Sequence, residues 1–219
     1  MRDNDYEGVA IDGYVDRFFF HTPITRATSN EQGDVMINID DAYARLASLS
    51  AAHLGKTAPN PNVAAAIYSA DGNLIAEGAH NRLISPDHAE VFAIKKAGAA
   101  TRGATIVVSL EPCNHTGTTG PCVDAIIDAG ISKVIYAVKD PNPIAAGGAE
   151  RLKSAGIEVD FVASKQLCET QGAWLHRITT GRPYFIWKIA ATLDGRIAAS
   201  DGSSQWISSV QSRADVQLL

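Results

Sequence analysis

The sequence predicts a three-layer α/β sandwich built on a partly parallel sheet. Two observations carry that reading: between residues 63 and 177 short β-prone runs alternate with helix-patterned segments, and the first two runs flank a tight Asp71-Gly72-Asn73 turn. A third observation, the change of character at Gly181-Arg182-Pro183, predicts that a separate piece of structure begins there.

Residues 1–35 carry polar and aromatic patches, Phe18-Phe19-Phe20 among them, with no sustained period, and Met36 opens a cleaner pattern. Two readings of this leader stand. Either Met36 is the true start, which is preferred, or the leader is a real but poorly ordered extension. From Asp40 the spacing of Ala42, Leu46 and Leu49 predicts an amphipathic helix, capped by Asp40 or Asn38 and stopped by Gly55. Thr57-Ala58-Pro59-Asn60-Pro61-Asn62 is a loop that two prolines hold out of helix. Val63–Ser69 and Leu74–Ala79 read as a β-hairpin around the Asp-Gly turn. Next come a helix over His88–Ala97 ended by Gly98, a strand over Thr105–Leu110, and a Gly-rich loop to Pro121. A helix from Cys122 to Ala129 stops at Gly130, Lys133–Val138 is a buried strand, Ala149–Ala155 a helix, Ile157–Val162 a strand and Lys165–Arg177 a helix. Tyr184–Ala191 is strongly β-prone, but the stretch from there to Leu219 has only about 36 residues, below the ~40 at which chains seldom fold without help.

Composition narrows the function. Of 219 residues 46% are hydrophobic, ordinary for a chain that buries a core, and the net charge of −5 argues against a polyanion-binding surface. Lys95-Lys96 is too short to make a basic stripe, so no nucleic-acid partner is expected. No apolar run approaches the roughly 18 residues needed to cross a bilayer, so no membrane partner is expected either. Three cysteines are an odd, sparse set that does not read as a disulfide framework, and in a reducing cytosol they are available for metal. The acidic start Met1-Arg2-Asp3-Asn4-Asp5 is not a secretory signal, and the expected location is cytoplasmic.

The chemistry sits in His88-Ala89-Glu90, Pro112-Cys113 and Pro121-Cys122. A catalytic zinc takes three protein ligands and keeps a fourth position for water. His88, Cys113 and Cys122 supply one nitrogen and two thiolates, while Glu90, two residues from His88, sits beside the metal as a proton carrier. Zn2+ lowers the pKa of its water toward roughly 7, and Glu90 can move that proton to a ring nitrogen and then to a leaving amine. With His88 at one helix start and Cys122 at another, two positive dipole ends would face the thiolates. Bland readings compete: His-x-Glu is common, and two Pro-Cys pairs also suit buried core thiols. A purely structural zinc would want a fourth ligand, for which Cys168 and His115 are the nearby candidates, and Cys168 reads better as part of a buried helix face. The joint order of His-Ala-Glu, strand, Glu111-Pro-Cys and Pro-Cys-helix favours a hydrolytic deaminase.

Thr57-Ala-Pro-Asn-Pro61, His88-Ala-Glu-Val91, Ser109-Leu-Glu-Pro-Cys-Asn-His115, Gly120-Pro-Cys122 and Asp140-Pro-Asn-Pro143 together resemble the bifunctional riboflavin-biosynthesis deaminase–reductase family. The eight residues between Cys113 and Cys122, long for a generic C-x-x-C deaminase, are that family's own spacing. The resemblance runs from about residue 38 to the C-terminus and takes in Gly181-Arg-Pro183, Leu193-Asp-Gly-Arg196 and Ser204-Gln-Trp-Ile-Ser208. It implies a cytidine-deaminase-like domain over 36–182, a poorly ordered leader over 1–35 before it, and an incomplete dihydrofolate-reductase-like fragment over 183–219. It also implies the substrate, 2,5-diamino-6-ribosylamino-4(3H)-pyrimidinone 5′-phosphate, hydrolysed to the 5-aminouracil derivative and ammonia. By the same resemblance His88, Cys113 and Cys122 hold zinc and Glu90 is the proton shuttle. Asn60, His80, His115, Asp140 and Asn142 line the substrate pocket. Ser204 falls at a reductase substrate position, and Ala190 and Trp206 at positions for NADPH, whose site is only partial here. Deaminases of this fold commonly associate, so a homo-oligomer is the partner to test for.

The sequence departs from the family pattern at several points. Thr118 stands where the family usually has Lys or Arg, a natural phosphate partner. Ala64 replaces a usual glycine, and the segment before His88 runs one residue longer than usual; neither touches the zinc donors. The reductase half would need roughly another 150 residues, so no reductase activity is expected of this chain. A deaminase retuned to another aminopyrimidine and a non-catalytic remnant with structural zinc are the rival readings. Glu90 argues against the remnant, since a structural site has no use for that carboxylate.

Overall fold

The computed structural model describes residues 37–217, so the expectations for the leader lie outside the described residues. The chain divides into two units, with the boundary between Pro183 and Tyr184.

In the first unit, helix α1 (Ile39–Ala51) is capped by Asn38, whose side chain accepts from the N–H groups of Asp40 and Asp41. Of the two candidate caps it is therefore Asn38 that serves, and Asp40 and Asp41 sit in the first turn, where negative charge suits the helix dipole. The hairpin forms as expected: β1 (Ala64–Tyr68) pairs antiparallel with β2 (Leu74–Ala79). Helix α2 (Ala89–Ala97) follows, closed by Gly98 and a 3-10 turn over Gly98–Thr101. The remaining elements alternate: β3 (Thr105–Val108), α3 (Cys122–Asp128), β4 (Lys133–Tyr136), α4 (Gly148–Ser154) and β5 (Glu158–Phe161).

The five strands form one mixed sheet in the order β2-β1-β3-β4-β5. β1 is antiparallel to both neighbours, while β3, β4 and β5 run parallel. Parallel neighbours need crossovers, and α3 and α4 supply them. Every residue of β1, Ala-Ala-Ala-Ile-Tyr, is buried, which requires cover on both faces of the sheet. α1 packs on β1 and on α5 (Lys165–Glu169), whereas α2 packs on β1 and β2 and meets α3, which meets α4. The core between these layers is Leu46, Ile67, Ile106, Ile126, Val134, Leu152 and Leu167, all fully buried.

Two expectations need correction. The single helix expected over Lys165–Arg177 is two, α5 and α6 (Gly172–Thr180). The break falls at Gln171, which leaves helical geometry at φ −110° and ψ 7°. Its buried amide donates to the carbonyls of Ser109 (3.2 Å) and Leu167 (3.4 Å). The β-prone run Tyr184–Ala191 forms no strand. Among the described residues of the second unit there is no strand to pair with, and an unpaired strand leaves its N–H and C=O groups without the ladder that defines it. Among its described residues that unit has one helix, α7 (Val210–Val216), capped by Ser209, and none of them is buried. Among the described residues no helix is long and apolar enough to cross a membrane.

Two glycines allow backbone to touch backbone beside the segments that matter below. A Cβ on Gly78 of β2 would lie 2.2 Å from the carbonyl oxygen of Ala89 at the start of α2. A Cβ on Gly148, the first residue of α4, would lie 1.8 Å from the carbonyl oxygen of Pro112. Gly78→Ala and Gly148→Ala should each destabilise the protein by about 1–3 kcal/mol and lower Tm by roughly 2–12 °C in a thermal melt. A Tm within 1 °C of wild type, on the order of measurement scatter, would refute the close-approach role.

Candidate active site

Two helix starts and one loop converge. His88 caps α2 in an extended conformation (φ −79°, ψ 165°), and Cys122 is the first residue of α3, directly after Pro121. Cys113 lies on the loop after β3, held to α3 where Val123 N–H donates to its carbonyl at 3.3 Å. His88 Nδ1 is 3.2 Å from Cys122 Sγ and 3.5 Å from Cys113 Sγ. All three donor atoms lie within 4.8 Å of one another. A tetrahedral zinc site, with Zn–N of about 2.0–2.1 Å and Zn–S of about 2.3 Å, spaces such donors about 3.5–3.8 Å apart, so this nitrogen and these two sulfurs fit the ion with little movement. Cys168 is not part of the group; it is buried in α5 against the core.

The electrostatics suit a cation. The hydrogen bond from the Cys122 thiol, with help from His88, pulls the Cys113 thiol down to about 4, and Cys122, which keeps the shared proton, moves up. His88 is raised by its hydrogen bond to Cys113 in spite of burial. Glu90, in the first turn of α2, is 3% exposed, and burial, with the Cys113 thiolate as a smaller cause, pushes its carboxyl up to about 7. Coordinating thiols are deprotonated by the ion itself.

Above this group opens a cavity of about 350 Å³ lined by His88, Glu90 and Cys113. Asn60, His80, His115, Asp140 and Asn142, five residues taken from the resemblance, all line it too. His80 stands edge-on to His88, ring centroids 5.2 Å apart. Its Nδ1 donates to the Asp87 carbonyl at 2.8 Å, which leaves Nε2 to accept from the Asn60 amide at 3.0 Å. Burial lowers its pKa, so the ring is held neutral. Asp140 accepts from Asn142 N–H at 2.8 Å, and burial pushes its carboxyl up to about 6. The buried Nδ1 of His115 has no hydrogen-bond partner among the described residues. Ala190, Ser204 and Trp206 belong to the second unit and are not among the residues lining this cavity. There Trp206 is 71% exposed, its ring covered by the Arg213 guanidinium at 4.0 Å.

Among the cavity residues that sequence reasoning did not assign to the pocket are Glu111, Arg82, Trp174 and Arg177. Glu111 was legible only as part of its Pro-Cys motif. Buried, it accepts from Asp140 N–H (3.3 Å) and from Ala149 N–H (3.1 Å) in the first turn of α4, tying the Cys113 loop to two neighbouring segments. Arg82, Trp174 and Arg177 also line the cavity, and nothing in their local sequence signals it.

The fold and the donor set define a zinc-dependent deaminase with a cytidine-deaminase-like domain. Residues 37–138 match the family model for the cytidine and deoxycytidylate deaminase zinc-binding region, and residues 183–219 match the RibD C-terminal domain. The riboflavin biosynthesis protein RibD of Mycobacterium tuberculosis is 45% identical over 181 residues, 82% of this chain and 53% of that protein. Among solved structures, a diaminohydroxyphosphoribosylaminopyrimidine deaminase/5-amino-6-(5-phosphoribosylamino)uracil reductase from Thermotoga maritima matches with a TM-score of 0.73 at 38% identity, covering 80% of this chain and 51% of that one. Acinetobacter baumannii RibD matches with a TM-score of 0.72 at 43% identity, covering 82% and 51%. The chain is thus similar to RibD proteins over most of its own length, and it spans about half the length of the curated relatives it matches.

Removing the Glu111 carboxylate would leave two backbone donors without acceptors, at about 1–3 kcal/mol each if they stay buried. Glu111→Ala is expected to lower Tm and to weaken zinc retention in a chelator competition. Unchanged zinc affinity would show that the Cys113 loop holds its place without this tie.

Proposed function

We propose that the first unit hydrolyses the 2-amino group of 2,5-diamino-6-ribosylamino-4(3H)-pyrimidinone 5′-phosphate, giving the 5-amino-6-(5-phosphoribosylamino)uracil and ammonia. The observation that carries this is a buried carboxylate, Glu90, lining the same cavity as His88 and Cys113 of an imidazole–dithiol donor set that has three ligands and, among the described residues, no fourth. A structural zinc would want four protein ligands. When bound at His88, Cys113 and Cys122, zinc supplies a water nucleophile usable at neutral pH.

The chain's own residues do the rest. Glu90 takes a proton from the attacking water and gives it to the ring nitrogen beside the carbon under attack. It then carries the second proton to the departing amine, so that water and the amino compound become the oxo compound and ammonia. A carboxyl raised to about 7 by burial can both accept and release a proton near neutral pH. Asn60, His80, Asp140 and Asn142 offer the mixture of donors and acceptors that a diaminopyrimidinone presents in complement. The neutral His80 with its fixed tautomer supports this role, because it holds the Asn60 amide in one orientation. The name of the Thermotoga relative describes the same substrate class. The partner is therefore a small phosphorylated aminopyrimidine.

We also propose that residues 184–217 by themselves carry no reductase step. With none of them buried, nothing preorganises Ala190, Ser204 and Trp206 into a dinucleotide site.

Zinc-loaded protein should release ammonia from the phosphorylated diaminopyrimidinone, and Glu90→Gln should lower kcat by about 10²–10⁴-fold with zinc content unchanged. Equal rates in the two proteins would remove Glu90 from the chemistry, and no ammonia from either would remove the deaminase. With product and NADPH the absorbance of the reduced nicotinamide should stay constant; oxidation above a protein-free control would refute the second proposal.

A further inference from the structure

We infer that Arg82 and Arg177 form a phosphate-reading rim on this cavity, an inference that rests on the substrate being a phosphorylated aminopyrimidine. Both line the cavity, and they are the only Lys or Arg side chains among its described lining residues. They come from distant parts of the chain, Arg82 from the turn after β2 and Arg177 from α6, and fasten to consecutive carbonyls of one loop. Arg82 Nη1 donates to the Ala58 oxygen at 3.4 Å and Arg177 Nη2 to the Pro59 oxygen at 3.0 Å. Both cations are thereby held beside Asn60, the next residue of that loop.

Neither guanidinium takes part in an ion pair among the described residues. One neutral carbonyl uses one of the five N–H donors of each group. The remaining donors, in a fixed planar fork, match the oxygens of a phosphate dianion. Both side chains are exposed, as groups at the mouth of a cavity must be if they are to receive a charged end that keeps part of its hydration. No other described lining residue carries a permanent positive charge. Glu90, Glu111 and Asp140 are carboxyls, and both His80 nitrogens are already engaged, Nδ1 with the Asp87 carbonyl and Nε2 with the Asn60 amide. Thr118 and Thr119 offer only hydroxyls where a cation was expected from the resemblance. The two permanent cations thus stand together on the Ala58-Pro59 side of the mouth, which leaves the amino-bearing ring as the end that enters toward Glu90.

The test measures kcat/KM on the phosphorylated substrate and on its dephosphorylated counterpart, using the zinc-loaded full chain and the variants Arg82→Ala, Arg177→Ala and the double substitution. Wild type is expected to prefer the phosphorylated compound, chiefly through KM. Each single substitution should cut that preference about tenfold, as for a charge-assisted hydrogen bond, and the double variant should bring the ratio near one. The paired Arg→Lys variant, which keeps charge but not the fork, should retain part of the preference, and added salt should erode it. A ratio that survives the double substitution overturns the inference. So do equal losses on both compounds, which would assign the arginines to bracing the Ala58 and Pro59 carbonyls. Turnover of both compounds by wild type at equal efficiency overturns this inference alone, whereas turnover of neither removes the deaminase reading and the inference with it.

Discussion

The packing of an imidazole and two thiols within 4.8 Å of one another is the constraint from which the rest of the first unit follows. Left to themselves these groups crowd negative charge into a site where water is scarce, and burying unpaired charge is costly. Three features offset that cost. α2 and α3 both point their positive N-terminal ends at the cluster, through His88 and Cys122. His88 and the thiols share protons, which holds Cys113 low and Cys122 high. A divalent cation completes the neutralisation when bound, so metal affinity and folding free energy draw on the same interaction.

Bringing two helix starts to one point requires backbone contacts closer than side chains permit. Gly78 lets β2 approach the first turn of α2, and Gly148 lets α4 approach the carbonyl of Pro112, next to Cys113. The sheet order explains why both are needed: α2 lies over β1 and β2, the antiparallel side, whereas α3 and α4 are crossovers of the parallel side. The metal group therefore straddles the two halves of the sheet. Glu111 completes the join, since its two carboxylate oxygens take one N–H from the loop after β4 and one from α4.

Local signals made much of this legible before any coordinates. The Asp71-Gly72 turn marks the hairpin, and prolines ahead of both cysteines and Gly98 after α2 mark where chain direction changes. The residues unread share one property: their roles depend on partners far away in sequence. Gln171 breaks a helix because its amide reaches Ser109, 62 positions away. Arg177 reaches Pro59 across 118 positions. Tyr184–Ala191 has the composition of a strand and, among the described residues of its unit, no strand to pair with; β-propensity describes fitness for a sheet and does not create one. Of the site, the zinc donors and Glu90 could be read from residue chemistry. The five pocket residues needed the family resemblance, and the arginines needed the fold.

On the proposed reading, the cavity divides recognition by dielectric environment. Near the floor, where desolvation is severe enough to push Glu90 to about 7 and Asp140 to about 6, burying the charged end of a ligand is costly. Recognition there falls to neutral, directional groups: the Asn60–His80–Asp87 chain fixes one amide orientation and one imidazole tautomer, and so can distinguish a donor from an acceptor on a ring edge. Such discrimination is strong because a mismatched ring would leave buried polar groups unpaired. At the mouth, where water screens charge, permanent cations can read an anion without the penalty of burying it. The same burial gradient that tunes the carboxyl for proton transfer therefore also sets which end of the substrate can enter first.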